Sequence, residues 1–162
     1  RVEERADGFT VRYEATARAL EGVMGFGQKG REGERFRFQV GSGGAGATVD
    51  VLCQPAGRRG GVGPGAVHHV AWRTPDDEHQ AGWLKTLAAA GFNVSPVMDR
   101  TYFHSIYFRE PGGILFEIAT DGPGFTVDEP AESLGSALRL PPRYEPHRAE
   151  LERLLPKLRL PG

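Results

Sequence analysis

Apolar and polar residues alternate along several short stretches of the chain, and this period of two predicts β-strands. Residues 35–40 alternate charged and apolar side chains, and residues 49–52 follow across a glycine-rich loop as the predicted hairpin partner. A second hairpin is predicted from residues 102–109 and 114–120, because Pro-Gly-Gly between them supplies the dihedral angles of a tight turn. Residues 66–74 are predicted to form one further, buried strand.

Two other stretches repeat their apolar residues every three or four positions, which predicts helices. The apolar positions of these two helices are Ala15, Ala19, Val23, Ala81, Leu84 and Ala88. We expect each helix to stop at a glycine, Gly25 or Gly91, since glycine adopts the left-handed conformation without strain. Thr74 is the predicted N-cap of the second helix, and Pro75 is its predicted first residue.

The two sets of predicted elements superimpose when the sequence is shifted by 66 residues, which predicts an internal repeat. This shift places the Gly-Phe pair at residues 25–26 on the pair at residues 91–92, and residues 48–52 on residues 114–118. Helix, turn and two strands agree at one shift without a gap. We therefore favour a true duplication over the alternative, a chance match between common dipeptides.

The sequence thus predicts an α+β fold of two tandem βαβββ modules that form a curved mixed sheet. We assign residues 1–54 to the first module, residues 55–65 to a glycine-rich linker and residues 66–122 to the second module. Residues 123–162 are a C-terminal extension, in which a short helix is predicted at residues 145–155.

Composition and charge narrow the possible functions. Twenty basic and 21 acidic residues among 162 leave a formal charge of −1, which offers no electrostatic footprint for nucleic acid or an anionic membrane. A single cysteine, Cys53, excludes a disulfide framework and a cysteine-rich zinc site, and suits a reducing compartment. No apolar run reaches the roughly 20 residues of a membrane span. We expect a cytoplasmic protein that binds neither nucleic acid nor membrane.

Glu117 is an unusual residue, because it interrupts the hydrophobic strand Gly-Ile-Leu-Phe-Glu-Ile-Ala. A three-residue loop in the second hairpin would place Tyr107 directly opposite Glu117 and Ser105 opposite Ala119, all on one face of the sheet. A carboxylate at such a position is seldom buried unless it is paired or binds a metal ion. The alternative is that Glu117 points into solvent from a half-exposed sheet.

Two adjacent histidines, His68 and His69, lie in the predicted strand of the second module. Adjacent strand residues point to opposite faces, so we expect at most one of them to lie beside Glu117. An imidazole and a carboxylate on neighbouring strands suit Fe(II) or Mn(II), although a lone strand histidine is more often a core residue. The 66-residue shift places Val51 at the position of Glu117 and Glu3 at that of His69, so no site is expected in the first module.

Other polar residues are less strongly indicated as catalytic or metal-binding residues. Arg100 precedes the strand that carries Tyr107, where it would meet an anionic substrate or form a surface salt bridge. His104 alternates away from Tyr107 and is expected to face outward. His79 and His147 are expected to be solvated, and Cys53 to be inert, because no second cysteine or histidine adjoins it.

Three motifs in the second half of the chain carry a resemblance to a known family. They are Val-His-His-Val-Ala-Trp-Arg at residues 67–73, Tyr-Phe-His-Ser-Ile-Tyr-Phe-Arg-Glu-Pro-Gly-Gly-Ile-Leu-Phe-Glu-Ile-Ala at residues 102–119, and Pro-Gly-Phe-Thr-Val-Asp-Glu-Pro at residues 123–130. With the repeated module, they are similar to the vicinal oxygen chelate superfamily, which includes glyoxalase I, extradiol ring-cleaving dioxygenases and fosfomycin-resistance proteins. Within it, the motifs resemble the C-terminal domain of hydroquinone-type ring-cleaving dioxygenases.

The resemblance implies a vicinal oxygen chelate fold in which His69 and Glu117 are ligands of Fe(II), or alternatively of Mn, Ni or Zn. It assigns catalytic roles to Tyr107, Arg100 and His68. It further implies that Ser105 and Phe103 bind a small aromatic substrate, which reacts with O₂. The implied function is an Fe(II)-dependent extradiol-type dioxygenase of a hydroquinone or catechol-like diol. The alternatives are a glyoxalase-like isomerase or lyase, or a non-catalytic module that binds small molecules.

The ligand set is one short of the three that the family uses. The family's third ligand is a histidine on the first strand of the first domain, and no histidine precedes His68 in this chain. We therefore expect that an N-terminal domain, or a partner chain in a homo-oligomer, completes the site.

Overall fold

Residues 13–54 and 61–157 are described by the computed structural model of the protein. The predicted position of Glu3 and most of the predicted linker lie outside these ranges. The elements of the first module are α1 (Tyr13–Gly22), β1 (Gly27–Glu32), β2 (Arg35–Gln39) and β3 (Thr48–Leu52). Those of the second module are β4 (Val70–Thr74), α2 (Asp77–Ala89), β5 (Met98–Asp99), β6 (Phe103–Arg109) and β7 (Leu115–Pro123).

The strands of each module form one sheet. The first sheet has the order β1-β2-β3 and is antiparallel. The second has the order β4-β7-β6-β5, with β4 parallel to β7 and the remaining pairs antiparallel. No strand pair joins the two sheets within the described ranges. Helices and strands are thus combined as in the predicted α+β class.

One hydrophobic core is shared by both modules. Its most deeply buried side chains come from a helix and a sheet of each: Leu20, Phe38, Leu87, Ile106, Phe108 and Ile118. Burying a side chain of this size contributes about 2 kcal/mol to stability. Every second residue of β6 and β7 packs on this core. The residues between them therefore point to the opposite face of the sheet, which carries Tyr107 and Glu117.

The predicted register of the second hairpin is confirmed. Arg109 lies opposite Leu115, Tyr107 opposite Glu117 and Ser105 opposite Ala119. A longer connection, residues 40–47, joins the strands of the first hairpin, in which Arg37 lies opposite Asp50.

The predicted alignment of the two repeats is wrong by one residue in its last strand. Val51 packs on the shared core, whereas Glu117 points away from it, so these two residues are not equivalent. The neighbouring residue Asp50 points away from the core, as Glu117 does, and it lies opposite Arg37, as Glu117 lies opposite Tyr107. An ungapped shift cannot align both strands, because the two hairpin connections differ in length.

The helix termini agree only partly with the predictions. Gly25 and Gly91 adopt positive φ angles of 75° and 84° just beyond the helices, as expected. The N-cap of α2 is Asp76 and not Thr74, since the Asp76 carboxylate accepts a hydrogen bond from the His79 N–H at 2.9 Å. The strand β4 begins at Val70, later than predicted, and the prediction that it is buried is wrong: only its last residue, Thr74, is buried, and three of its other four residues are exposed at the edge of the sheet.

The C-terminal extension consists of short helical segments. Three 3₁₀-helices span Phe125–Val127, Ala131–Ser133 and Pro142–His147, and α3 (Arg148–Leu154) follows the last of them. The helix predicted at residues 145–155 is thus α-helical only from Arg148 to Leu154, because Pro146 lies inside the preceding 3₁₀ turn and donates no hydrogen bond. Within the described ranges, none of the helices is both long and apolar enough to cross a bilayer.

A buried carboxylate, Glu110, ties the second hairpin to the first module. Glu110 is only 3% exposed, and its two oxygens accept hydrogen bonds from the N–H groups of Gly112 and Ile114, both at 2.8 Å. The Thr16 hydroxyl of α1 donates a further bond to it at 2.7 Å. A Cβ at Gly112 would lie 2.7 Å from a Glu110 oxygen, so only glycine leaves room for this carboxylate.

Replacing Glu110 by alanine is expected to lower the free energy of unfolding by about 3 kcal/mol, because two backbone N–H groups and one hydroxyl lose their buried acceptor. Thr16→Val removes one of the three bonds and should cost about 1 kcal/mol. Urea denaturation measures both changes, with Glu132→Ala on an exposed 3₁₀ turn as the control. A Glu110→Ala protein as stable as the wild type would contradict this role.

Candidate active site

Glu117 is the third residue of β7 and lies on the face of the sheet that points away from the core. Its side chain is buried, with 2% of the residue exposed, so the alternative of a solvated carboxylate is wrong. Each carboxylate oxygen has one protein partner. The Tyr107 hydroxyl donates a hydrogen bond to Oε1 at 2.7 Å, and Nε2 of His69 lies 2.7 Å from Oε2.

His69 reaches Glu117 because β4 runs parallel to β7, with Ala71 beside Glu117 in the register. Both histidines precede the first residue of the strand, Val70, so strand alternation does not separate them. Nδ1 of His68 lies 2.9 Å from Nδ1 of His69, and the two rings are perpendicular. As expected, only one of the pair contacts Glu117. His68 is exposed and contacts the far side of the His69 ring.

Tyr107 is surrounded by three of the residues that the sequence singles out. Its ring is perpendicular to that of His69, with the centroids 6.0 Å apart. The guanidinium of Arg100 lies 5.2 Å from the centroid of the Tyr107 ring, a cation–π contact. Arg100 forms no ion pair with any residue of the described ranges, so the predicted surface salt bridge is absent there. Ser105 donates a hydrogen bond to the Tyr107 hydroxyl at 3.2 Å.

Neither of the two predicted substrate-binding residues lies on an open surface beside Glu117: Ser105 is buried, and Phe103 is distant from Glu117. Ser105 has no exposed surface, and its hydroxyl is directed at Tyr107. Phe103 is half-buried and pairs with Pro123 at the distant end of β7, beyond a register shift between Phe103 and Ser105.

Two residues that support the site were missed by the sequence analysis. Ser95 brackets the Tyr107 backbone: its hydroxyl accepts from the Tyr107 N–H at 3.0 Å, and its own N–H donates to the Tyr107 carbonyl at 2.9 Å. Gln80 of α2 is fully buried, and its amide donates to the carbonyls of His104 and Ile118 at 2.9 and 2.8 Å. These bonds satisfy the backbone where the β6–β7 ladder is interrupted. A signal for Gln80 was present, because it continues the apolar helix face of Leu84 and Leu87.

The remaining histidines and the cysteine form no part of the site. His104 points away from Tyr107, as expected, but it is half-buried against α2, and its Nδ1 lies 2.6 Å from a carboxylate oxygen of Asp77. Nδ1 of His79 lies 2.6 Å from Asp76, and His147 is exposed. Burial raises the pKa of the Cys53 thiol above its ordinary value, which agrees with an inert cysteine.

The His104–Asp77 pair is expected to make stability depend on pH. The hydrogen bond that His104 donates to the Asp77 carboxylate, helped by the charges of Asp77 and Asp99, raises the pKa of His104 against the opposing effect of burial. Because the pKa of His104 is higher in the folded state than in the unfolded state, protonation of His104 stabilises the fold. This stabilisation is complete below the unfolded pKa of about 6.5, and it disappears as the pH rises through the folded pKa.

His104→Ala should therefore destabilise the protein more at pH 5.5 than at pH 9, as measured by urea denaturation at both values. His147→Ala, at an exposed position, is the control and should show no such difference. A His104→Ala penalty that is equal at both pH values would show that the ion pair contributes nothing.

The donor set of His69 and Glu117 fits a metal ion. Two ligand atoms about 2.1 Å from an ion and at right angles to each other lie about 3 Å apart, close to the observed 2.7 Å. Their remaining contacts, from His68 and Tyr107, are of the kind that orients metal ligands. No cluster of three such donors exists within residues 13–54 and 61–157, so these two would supply only part of a coordination sphere.

The equivalent pair of the first module does not fit a metal ion. Nε and Nη2 of Arg37 each lie 2.8 Å from an oxygen of Asp50, and Arg35 lies 3.6 Å away. The hydrogen bonds from Arg37 lower the pKa of the Asp50 carboxyl. A guanidinium thus neutralises the carboxylate that would correspond to Glu117.

Comparison with known proteins gives consistent matches. The family profile of the "Glyoxalase/Bleomycin resistance protein/Dioxygenase superfamily" matches residues 8–118. The "Putative ring-cleaving dioxygenase MhqO" of Bacillus subtilis (strain 168) is 51% identical over 142 residues, which cover 87% of this chain and 45% of that protein. The "Chlorohydroquinone/hydroquinone 1,2-dioxygenase" of Sphingobium indicum is 39% identical over 130 residues, which cover 78% of this chain and 40% of that protein.

Solved structures show the same relationships. A crystal structure of a "putative dioxygenase" from Bacillus subtilis matches with a TM-score of 0.83 and 48% identity, over 91% of this chain and 47% of that one. A lactoylglutathione lyase from Agrobacterium tumefaciens matches with a TM-score of 0.52 at 18% identity, over 68% of this chain and 87% of that one, and shares the fold. The chain spans about half the length of the curated relatives that it matches.

Proposed function

The chain belongs to the Glyoxalase/Bleomycin resistance protein/Dioxygenase superfamily, and on that premise we propose that it carries the metal site of an Fe(II)-dependent dioxygenase that cleaves an aromatic diol. The observation that carries this proposal is the buried Glu117 carboxylate, held between His69 Nε2 and the Tyr107 hydroxyl. The names of its relatives support ring cleavage and, in one case, a hydroquinone substrate.

His69 and Glu117 would hold the metal ion, with Fe(II) as the proposed metal. A bound Fe(II) supplies Lewis acidity toward a phenolic oxygen and one-electron redox chemistry between diol and O₂. His68 holds the His69 ring through the Nδ1 contact. In ring cleavage by a dioxygenase both oxygen atoms of O₂ enter the product, so the reaction needs no separate reductant.

Tyr107 and Arg100 are placed to act on the substrate. The Tyr107 hydroxyl donates to Glu117 at 2.7 Å beside the metal site, and it would redirect this hydrogen bond to the diol oxygen on which negative charge develops during the reaction. Arg100 lies against the Tyr107 ring and has no carboxylate partner within the described ranges. Its positive charge is therefore available to a phenolate oxygen of the substrate. The substrate would therefore bind as an anion, between the metal site and this guanidinium.

The reaction is tested by oxygen uptake. Protein loaded with Fe(II) under anaerobic conditions should consume one molecule of O₂ for each ring opened when hydroquinone or catechol is added. A glyoxalase-like enzyme would instead turn over the adduct of methylglyoxal and glutathione with Ni or Zn. Turnover of that adduct without oxygen uptake would overturn the proposal, and a protein that binds no metal would be a non-catalytic module.

The third protein ligand is proposed to come from outside the described residues, either from another part of a longer chain or from a second copy in a homo-oligomer. The proposed setting remains a reducing cytoplasm, in agreement with the single cysteine. Two protein ligands hold a divalent ion loosely, because its remaining positions are filled by water.

We expect Fe(II) affinity to fall by at least about tenfold when this chain is diluted until it is monomeric, since a ligand from a partner is then lost. Anaerobic titration with Fe(II) at a series of protein concentrations, with the association state measured in parallel, tests this. Tight one-to-one binding by the monomer at every concentration would show that the chain itself supplies every ligand.

A further inference from the structure

Ser105 is the most deeply buried polar residue near the candidate metal site. It has no exposed surface, and it lies on β6 two residues before Tyr107, so both side chains are on the same face of the strand. Its hydroxyl lies 3.2 Å from the Tyr107 hydroxyl, and no other side chain accepts or donates a bond to it within the described ranges. A buried hydroxyl costs free energy unless it is hydrogen-bonded, so this contact needs an explanation.

The hydrogen bonds of the Tyr107 hydroxyl can be assigned one by one. A phenol has a single proton, and an ionised carboxylate can only accept, so the proton of Tyr107 is committed to Oε1 of Glu117 at 2.7 Å. The phenol oxygen can then only accept from Ser105, which has one proton to donate. The chain of donors therefore runs in one direction, from Ser105 through Tyr107 to Glu117.

The Tyr107 ring has few other restraints at its outer end. Ser95 fixes only the Tyr107 backbone, through one bond to its N–H and one to its carbonyl. Arg100 contacts the face of the ring, which does not fix where the hydroxyl points. The residue is half-buried, so its hydroxyl could otherwise turn toward water. Among the described residues, Ser105 is the one group besides Glu117 that is hydrogen-bonded to the phenol oxygen.

We propose that Ser105 is a positioning residue, which acts on the metal site and on the substrate only through the Tyr107 hydroxyl. It does not touch substrate, because it has no exposed surface. In its absence the phenol oxygen loses a donor, and Tyr107 spends part of its time turned away from Glu117. The inference rests on the proposed function for its effect on turnover, but its effect on metal binding does not depend on which reaction the site performs.

A double-mutant cycle tests whether Ser105 acts through Tyr107. Ser105→Ala and Tyr107→Phe are made singly and together, and the Fe(II) dissociation constant and the kcat and KM for hydroquinone are measured. In the wild-type background, Ser105→Ala should lower kcat about fivefold and weaken Fe(II) binding about twofold, with KM little changed, because one neutral hydrogen bond carries a factor of this size. In the Tyr107→Phe background, Ser105→Ala should change none of these quantities.

An equal effect of Ser105→Ala in both backgrounds would overturn the proposal, because a packing role does not need the Tyr107 hydroxyl. Ser105→Cys, of similar volume but a weaker donor, should give a loss between those of wild type and Ser105→Ala. If Ser105→Ala does not fold, Ser105→Cys takes its place in the double-mutant cycle. Ser133→Ala, in the C-terminal extension, is the control. If the wild-type protein cleaves no diol, the dioxygenase proposal fails while the Fe(II) arm of the cycle still decides the role of Ser105.

Discussion

Glu117→Gln is expected to weaken Fe(II) binding by more than about 100-fold and to abolish oxygen uptake. The amide has nearly the same shape as the carboxylate but no negative charge. It has one oxygen acceptor and one N–H₂ donor, where Glu117 has two oxygen acceptors. In the wild type, one oxygen of Glu117 accepts from Tyr107 while the other is free to bind a metal ion beside His69. The single oxygen of the amide cannot do both. Anaerobic Fe(II) titration and an oxygen electrode measure the two losses.

His104→Ala is the matched control for this variant. His104 lies on the same pair of strands, but its side chain bonds to Asp77 on the other face of the sheet. Its removal should leave Fe(II) affinity almost unchanged. Comparable metal loss in Glu117→Gln and His104→Ala would mean that the affinity depends on the integrity of the sheet and not on a ligand at Glu117.

Tyr107→Phe is expected to retain the metal ion but to slow turnover by about 10²-fold or more. The hydroxyl is a hydrogen-bond donor and not a metal ligand, so its loss acts on charge that develops during the reaction. Glu117 keeps its contact with His69 in this variant. The measurements are the Fe(II) dissociation constant and the kcat of oxygen uptake.

Tyr102→Phe provides the comparison for Tyr107→Phe. The Tyr102 hydroxyl donates to Asp128 of the C-terminal extension at 2.9 Å, so its loss removes a phenol hydrogen bond outside the site. Turnover should be close to that of the wild type. If Tyr107→Phe is equally active, Tyr107 has no part in the mechanism.

The second hairpin shows what local sequence can predict about this site. Pro-Gly-Gly closes a three-residue turn, and from that turn the pairing of Tyr107 with Glu117 follows by counting along both strands. The burial of Glu117 was left open, because its environment depends on His69, which lies 48 residues earlier in the chain, directly before a parallel strand. Parallel neighbours leave no turn from which a register can be counted.

The first module shows where the repeat was misleading. An ungapped shift matched Val51 to Glu117, but Val51 packs on the core, and its neighbour Asp50 lies on the face that corresponds to that of Glu117. Insertions within hairpins are common in duplicated modules, since loops tolerate them, so the face of the strand is a safer guide than a constant shift. The Asp50 carboxylate on that face is already paired with the Arg37 guanidinium, so it is a poorer metal ligand than Glu117.

Short-range rules failed where the backbone departs from regular geometry. His68 and His69 were expected on opposite faces, but the strand begins only at Val70, and the two rings contact each other. Strand β1 was missed, because its sequence Gly-Gln-Lys-Gly-Arg-Glu has no apolar alternation. It forms by pairing with β2 and not by burying a face of its own.

The central claim is that His69 and Glu117 together hold a metal ion, and metal analysis of protein purified and loaded with Fe(II) under anaerobic conditions tests it most directly. At a protein concentration that favours association, we predict about one iron per chain in the wild-type protein. Iron should be lost from both His69→Ala and Glu117→Gln and retained by His79→Ala, whose histidine is bonded to Asp76 at the start of α2. Iron retained in full by His69→Ala and Glu117→Gln would contradict the account.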